Sequence, residues 1–213
     1  MAKRRICVLV TARPSYSRIR SALSAIQAHP DLELQLVVAA SALLERYGNA
    51  IQAIEHDGFS PAARVYMVLE GENLVTSAKS TGIALSELAG VFDNIRPDMV
   101  VTIADRYETL ATATAASFMN IPLVHVQGGE VSGSIDDRVR HAISKLANVH
   151  LVATKGAAER LHRNLKAARR RRRRLVDRAR RDLDVGAAQR GDDVACGEAA
   201  GLHLGGVEPD PHR

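Results

Sequence analysis

Two clusters of polar and charged residues hold most of the chemistry available to this chain. The first, Asp105-Arg106-Tyr107-Glu108, directly follows the apolar run Met99-Val-Val-Thr-Ile-Ala. The second begins at His125, passes through Gln127-Gly128-Gly129-Glu130, and ends in Asp136-Asp137-Arg138-Val139-Arg140-His141. Crowded carboxylates suit general acid–base work, because burial and like charge push their pKa values apart. Arginine forks suit anionic oxygens. A third stretch, Thr11-Ala-Arg13-Pro-Ser15-Tyr16, leads from an apolar run into an amphipathic one. A helix starting there offers free N–H groups and a positive dipole end, to which Arg13 adds a planar donor. The inventory fits proton abstraction with an anionic phosphate leaving group better than acyl transfer. No Ser nucleophile elbow, glycine-rich phosphate fingerprint or His/Cys metal spacing occurs.

Each residue also has a plain structural reading. Ser15 and Asp105 are favoured N-caps, and Asp136 and Asp137 open a helix in the same way. Arg106 and Glu108 can be surface charges, and Arg140 stands four residues after Asp136, the spacing of an ordinary helical ion pair. His125 inside a strand is more often a satisfied core histidine than a catalyst. Gly128-Gly129 lets the backbone turn tightly or approach a ligand. Taken together, these readings require every helix start along one edge to be charged by coincidence.

The elements that must position these residues alternate. Strands are expected at Arg5–Val10, Leu32–Ala39, Ala63–Leu69, Met99–Ile103, Pro122–Val126 and Val149–Ala153. Helices are expected at Tyr16–Ala28, Ala42–Asp57, Leu74–Ile95, Tyr107–Met119 and Asp136–Leu146. Such alternation with short loops implies right-handed crossovers and an α/β fold, a doubly wound, mostly parallel Rossmann-like sheet. Ligands of such sheets bind beyond the carboxyl ends of the strands, where both clusters fall.

Hydrophobic residues make up 46% of the 213 positions and aromatics only 3%, with no Trp, so the core must be aliphatic. Cys7 and Cys196 suggest neither a disulfide framework nor a metal cluster. The apolar run after the basic start is too short for a signal peptide or a membrane span, so a cytoplasmic protein with no membrane partner is expected. The net charge of +5 is uneven: residues 1–163 carry 17 Lys+Arg against 16 Asp+Glu, and residues 164–213 carry 12 against 8. This last stretch lacks Ser, Thr, Ile, Phe, Tyr, Met and Trp, and holds eleven Arg, six of them consecutive from Arg169 to Arg174. It reads as a GC-rich gene translated out of frame near Arg163. The competing readings are a solvated Arg-rich helix over Leu165–Leu183 and a nucleic-acid arm. The aromatic interleaving that stacks bases is missing, which argues against a nucleic-acid partner. The expected division is therefore an N-terminal domain over 1–163 and a disordered tail over 164–213.

The Asp105-Arg106-Tyr107-Glu108 block, the His125–Ala147 block and Tyr47-Gly-Asn49 with Ile54-Glu55 resemble the hydrolysing UDP-N-acetylglucosamine 2-epimerases over about residues 4–163. The resemblance implies the N-terminal half of a GT-B fold, whose second Rossmann-like domain has no counterpart in the tail. It implies a UDP-sugar substrate, no metal or nicotinamide cofactor, and a homodimer at full length. The sugar is UDP-N-acetylglucosamine or a 4-acetamido-6-deoxy relative, with sialic or nonulosonic acid synthesis downstream. UDP leaves by elimination and water then adds, giving N-acetylmannosamine from UDP-N-acetylglucosamine. Carried over by position, Asp105, Asp136, Glu130 and Gln127 form the catalytic set, and Arg13, Arg106, His125, Arg140 and His141 the substrate-binding set. Three positions depart from the family pattern. Gln127, which cannot exchange protons, stands where relatives carry Glu or His, Ala104 replaces a usual Gly, and Ala42 falls where His is common. A non-hydrolysing epimerase, a GT-B glycosyltransferase and an inactive fragment are the rival readings.

Overall fold

The computed structural model describes residues 2–71, 73–133 and 135–166, with Ile135 described by its backbone only. The tail readings therefore lie outside the described residues from 167 onward. The described residues fall within one unit, Met1–Ala167. They form β1 (Arg4–Val10), α1 (Arg13–Ala28), β2 (Leu32–Ala39), α2 (Ala50–His56), β3 (Pro61–Val65), α3 (Leu74–Ile95), β4 (Met99–Ile103), α4 (Tyr107–Phe118), β5 (Leu123–Val126), α5 (Ile135–Leu146) and β6 (Val149–Leu151). A last helix, α6, spans 155–166 and adds an element beyond the sequence expectation.

All six strands are parallel, in the order β3-β2-β1-β4-β5-β6. The chain winds outward one way from β1 to β3, then crosses back to β4 and winds the other way. This Rossmann-like arrangement leaves a crevice at the carboxyl ends of β1 and β4, where the winding reverses.

Strand side chains alternate between two cores. Cys7 and Leu9 of β1 join Val37, Val65, Val100 and Leu123 beneath α3, α4 and α5. Ile6, Val8 and Val10 join Leu36, Val38, Val101, Ile103 and Val124 beneath α1 and α2. Both faces being covered explains why the strands read as continuous apolar runs. Burial pushes the Cys7 thiol up to about 12, so it is an inert core residue.

Three expected elements move by three residues or more. α1 starts at Arg13, three residues early, because Pro14 in its first turn is preset for helix. The expected helix over Ala42–Asp57 is instead two 3₁₀ turns, Ala40–Leu43 and Glu45–Tyr47, followed by the short α2. Gly48 and Asn49 cause the break, with φ of 86° and 47° in the left-handed region. β3 is shifted toward the N-terminus, to Pro61–Val65.

Candidate functional site

The chain ends at the carboxyl edge turn sharply. β2 is followed by Ala40 at φ 53°, β4 by Ala104 at φ 70° and β5 by Gln127 at φ 65°. Each lies in the region that L-residues enter at a cost, and such positions cluster at functional sites. Ala104 N–H still donates to Val126 O, and Gln127 N–H to Leu151 O, so each strand makes one more ladder bond before it turns. The turn after Ala104 then presents Asp105 and Arg106.

A crevice of about 250 Å³ opens there, with Arg13, Ser15, Arg18, Tyr47, Asp105 and Arg106 among its walls. Arg13 lies along the backbone of Gly48, where a Cβ would come within 3.0 Å of its Nη1. The glycine thus serves the site twice, by turning the chain and by leaving room for the guanidinium. Arg18, one turn further along α1, donates from Nη1 to Gln127 Oε1 at 3.2 Å. Gln127 is thereby tied to the arginine wall as a hydrogen-bond partner, and its amide is neither an acid nor a base near neutral pH. Three exposed arginines around one carboxylate make a site for an anionic, multiply oxygenated group.

Arg140 has the opposite environment. Its side chain is 6% exposed, its Nη2 pairs with Asp105, and its Nη1 donates at 2.7 Å both to Glu130 O and to Asp137 Oδ1. The residue expected to bind substrate is thus held here by the domain's own groups. The guanidinium is committed to three partners inside the domain, and it clamps the β4 end, the Glu130 loop and α5 together. The helical pair also differs from the expected one, joining Arg140 to Asp137 rather than Asp136. Asp137 further accepts from Ser132 N–H, Ser132 Oγ and Gly133 N–H at 2.8–3.0 Å. These loop bonds hold its carboxyl below the usual carboxylate range. The sequence reading had treated Asp137 only as a helix cap.

His125 also faces inward. It is fully buried, with Nε2 2.8 Å from Ala104 O and Nδ1 3.1 Å from Ser144 Oγ. A carbonyl only accepts, so Nε2 carries the proton and Nδ1 accepts from the serine hydroxyl. Burial pushes the imidazole down to about 4, so it is neutral near pH 7. The residue expected to contact substrate thus connects the turn carrying Asp105 to the body of α5.

The double glycine serves the same packing. A Cβ on Gly128 would lie 2.9 Å from His125 Nδ1, and one on Gly129 only 2.4 Å from Ala157 O of α6. The close approach is therefore to the protein's own elements. Arg160 Nε secures it with a 2.7 Å bond to Gly129 O. Glu130, Asp136 and His141 are each half-buried along the same edge, on the β5–α5 loop and the first turns of α5. Asp136 lies close enough for its charge to raise the Glu108 carboxyl, whose rise is due first to burial.

Arg18 has no place in the sequence expectation, and Glu108, which the sequence offers as a possible surface charge, is instead buried. The signal for Arg18 was available, since it stands three residues after Ser15, one turn along the same helix face. Among the described residues no group of three His, Cys, Asp or Glu side chains could hold a metal ion, and no helix is long and apolar enough to cross a membrane.

The chain's relatives fit this arrangement. A family model described as UDP-N-acetylglucosamine 2-epimerase matches residues 24–170. A UDP-N,N'-diacetylbacillosamine 2-epimerase (hydrolyzing) of Legionella pneumophila is 38% identical over 160 residues, which is 75% of this chain and 42% of that protein. A GDP/UDP-N,N'-diacetylbacillosamine 2-epimerase (hydrolyzing) of Campylobacter jejuni is 36% identical over 154 residues, 72% of this chain and 40% of that one. The crystal structure of the Neisseria meningitidis UDP-GlcNAc 2-epimerase bound to UDP-GlcNAc superposes with a TM-score of 0.65 at 17% identity, over 74% of this chain and 42% of that one. The chain thus spans about two fifths of the length of the relatives it matches. On the family match and these identities, the chain belongs to the UDP-N-acetylglucosamine 2-epimerase family.

Proposed function

We propose that this domain supplies the diphosphate clamp and the acid–base carboxylates of a hydrolysing 2-epimerase acting on a UDP-2-acetamido sugar. The observation that carries the proposal is the convergence of Arg13, Arg18 and Arg106 on one crevice beside Asp105. The names of the Legionella and Campylobacter relatives, and the ligand of the Neisseria structure, support the substrate class.

In the proposed reaction a carboxylate takes the C2 proton while the C1–O bond breaks. The electron pair of the C–H bond becomes the C1=C2 double bond, and UDP departs with the pair of the broken C–O bond. Water then adds its oxygen to C1, and a proton reaches C2 from the opposite face, giving the free 2-epimer. Asp105, Glu130 and Asp136 are the candidates for proton transfer, and the three arginines meet the charge that develops on the diphosphate. The uridine contacts belong to a second domain, which on this reading an intact frame would encode beyond residue 163. The homodimer implied by the resemblance is part of the same proposal.

The test begins with the coding DNA around codon 163. If another frame continues into a second Rossmann-like domain, the restored protein should convert UDP-N-acetylglucosamine or its 2,4-diacetamido-6-deoxy relative into free UDP and the free 2-epimer. Epimerisation with UDP still attached would sink the hydrolysing assignment, and neither product with either sugar would sink the substrate class. Which sugar turns over faster separates sialic from other nonulosonic acid synthesis.

A further inference from the structure

Glu108 is left over once the crevice is described. It sits in the first turn of α4, is 1% exposed, and neither carboxylate oxygen meets full hydrogen-bond geometry with any described residue. Its ion-pair partner is Arg106, whose Nε lies 2.9 Å from Oε1. Arg106 itself is half-exposed and lines the crevice. A helix start favours a carboxylate, but that preference is met equally well on the surface and gives no reason to bury one. A buried carboxylate without full hydrogen bonding is kept at a cost, and such groups concentrate where a site requires them.

The ion pair uses only one face of the guanidinium. A carboxylate on Nε fixes the plane of the fork and leaves the two terminal nitrogens for another acceptor. A free arginine on the crevice wall would lose side-chain freedom on gripping an anion, and a fixed one has already lost it. Burial raises the Glu108 carboxyl, Arg106 opposes the rise and Asp136 adds to it, so the pair is coupled to the acid–base side of the site as well.

We propose that Glu108 is a positioning residue that holds Arg106 by its Nε and so presents the terminal guanidinium nitrogens to a diphosphate. The inference rests on the anion-site reading of the crevice given above. It is tested by titrating the full 213-residue chain with inorganic pyrophosphate, followed by calorimetry or amide chemical shifts. The proteins compared are the wild type, Arg106→Ala, Glu108→Ala, Glu108→Gln and the double variant Arg106→Ala/Glu108→Ala.

The expected result is a loss of about tenfold in affinity for each alanine variant, on the scale of one hydrogen bond to a charged group. The double variant should bind no worse than Arg106→Ala alone, because Glu108 acts through that arginine. Glu108→Gln should restore most of the affinity, since its amide oxygen can keep the place of Oε1 against Nε, and its melting temperature should not fall below the wild type's. A Glu108→Ala loss that adds fully to that of Arg106→Ala overturns the proposal, as does wild-type affinity in Glu108→Ala or a Gln variant as weak as the alanine one. A wild-type chain indifferent to pyrophosphate, or an Arg106→Ala variant that binds as well as the wild type, instead overturns the anion-site reading and removes this inference with it.

Discussion

The two walls of the crevice use the same residue type for opposite purposes. On the α1 side Arg13 and Arg18 stand exposed around open space, as Arg106 does on the neighbouring β4–α4 turn. On the α5 side Arg140 is buried and divided among Asp105, Asp137 and the Glu130 carbonyl. An exposed guanidinium keeps its water until a ligand displaces it. A buried one has given up that water and depends on its protein partners. On the proposed reading, burial and partner count separate the residues that grip from those that hold the grip in shape, a distinction that residue type alone does not make.

The sharpest way to break that comparison is to remove one arginine from each wall. Arg140→Met should destabilise the domain by about 1.5–3 kcal/mol, because the hydrogen bonds that tie the Asp105 turn, the Glu130 carbonyl and α5 through one buried guanidinium are lost. Arg18→Ala should change stability by no more than about 0.5 kcal/mol, as for most exposed side chains. Urea unfolding of the two variants gives both numbers. Equal effects would mean that the walls are not mechanically different. Arg140→Lys should recover little of the loss, since an ammonium cannot reach three partners as a planar fork does.

The pattern of what the sequence showed follows the range of each interaction. β1 could be read as a two-sided strand from its unbroken apolar run, and Arg13, Asp105 and Arg106 could be placed at one edge because each follows a strand directly. Those inferences need only local period and parallel topology. The pairing of Arg140 is not legible locally, because one partner, Asp105, lies 35 residues away on the β4–α4 turn and the carboxylate at i−4 offers an adequate local explanation. His125 fits both a core and a ligand reading in the sequence, and only the structure shows Ala104 O and Ser144 Oγ at its two ring nitrogens. The break after Tyr47 was legible in Gly48-Asn49 but was outweighed by the apolar spacing on either side. The burial of Glu108 is not legible, because a carboxylate in a first helical turn reads equally well as a surface charge and only tertiary packing buries it.

The His125 connector extends the comparison to pH. Its folded pKa of about 4 lies below the usual histidine value of 6.5, so between these values the unfolded chain binds a proton that the folded chain refuses. The stabilising contribution of the neutral imidazole is therefore fully present above about pH 6.5 and is lost as pH falls toward 4. A shift of this size corresponds to about 3 kcal/mol. Half-buried His150, also pushed down by burial, acts in the same direction. Denaturation midpoints measured from pH 7 to pH 4 should fall steeply for the wild type and much less for His125→Gln. A variant with an unchanged slope would show that the connector does not set the acid sensitivity.

The smallest expected effect tests whether the turn itself is strained. Ala104 is held at φ 70°, with its N–H on Val126 O and its carbonyl on His125, so it cannot relax without breaking a bond on one side. An L-residue in that region pays about 1–2 kcal/mol, and glycine pays nothing there. Glycine gives back part of the difference through the greater freedom of the unfolded chain, worth about 0.5–1 kcal/mol. The alanine methyl also contributes, since Ala104 packs against the core under α1 and α2. Ala104→Gly should therefore stabilise the domain by about 0.5–1 kcal/mol, read as a rise in melting temperature of ~2 °C. A fall instead would mean that the methyl contact outweighs the backbone strain. In that case Ala104 would be a packing residue at the hinge between β4 and Asp105, and the strain reading of the left-handed turns along the carboxyl edge would fail at the one position where both of its anchors are known.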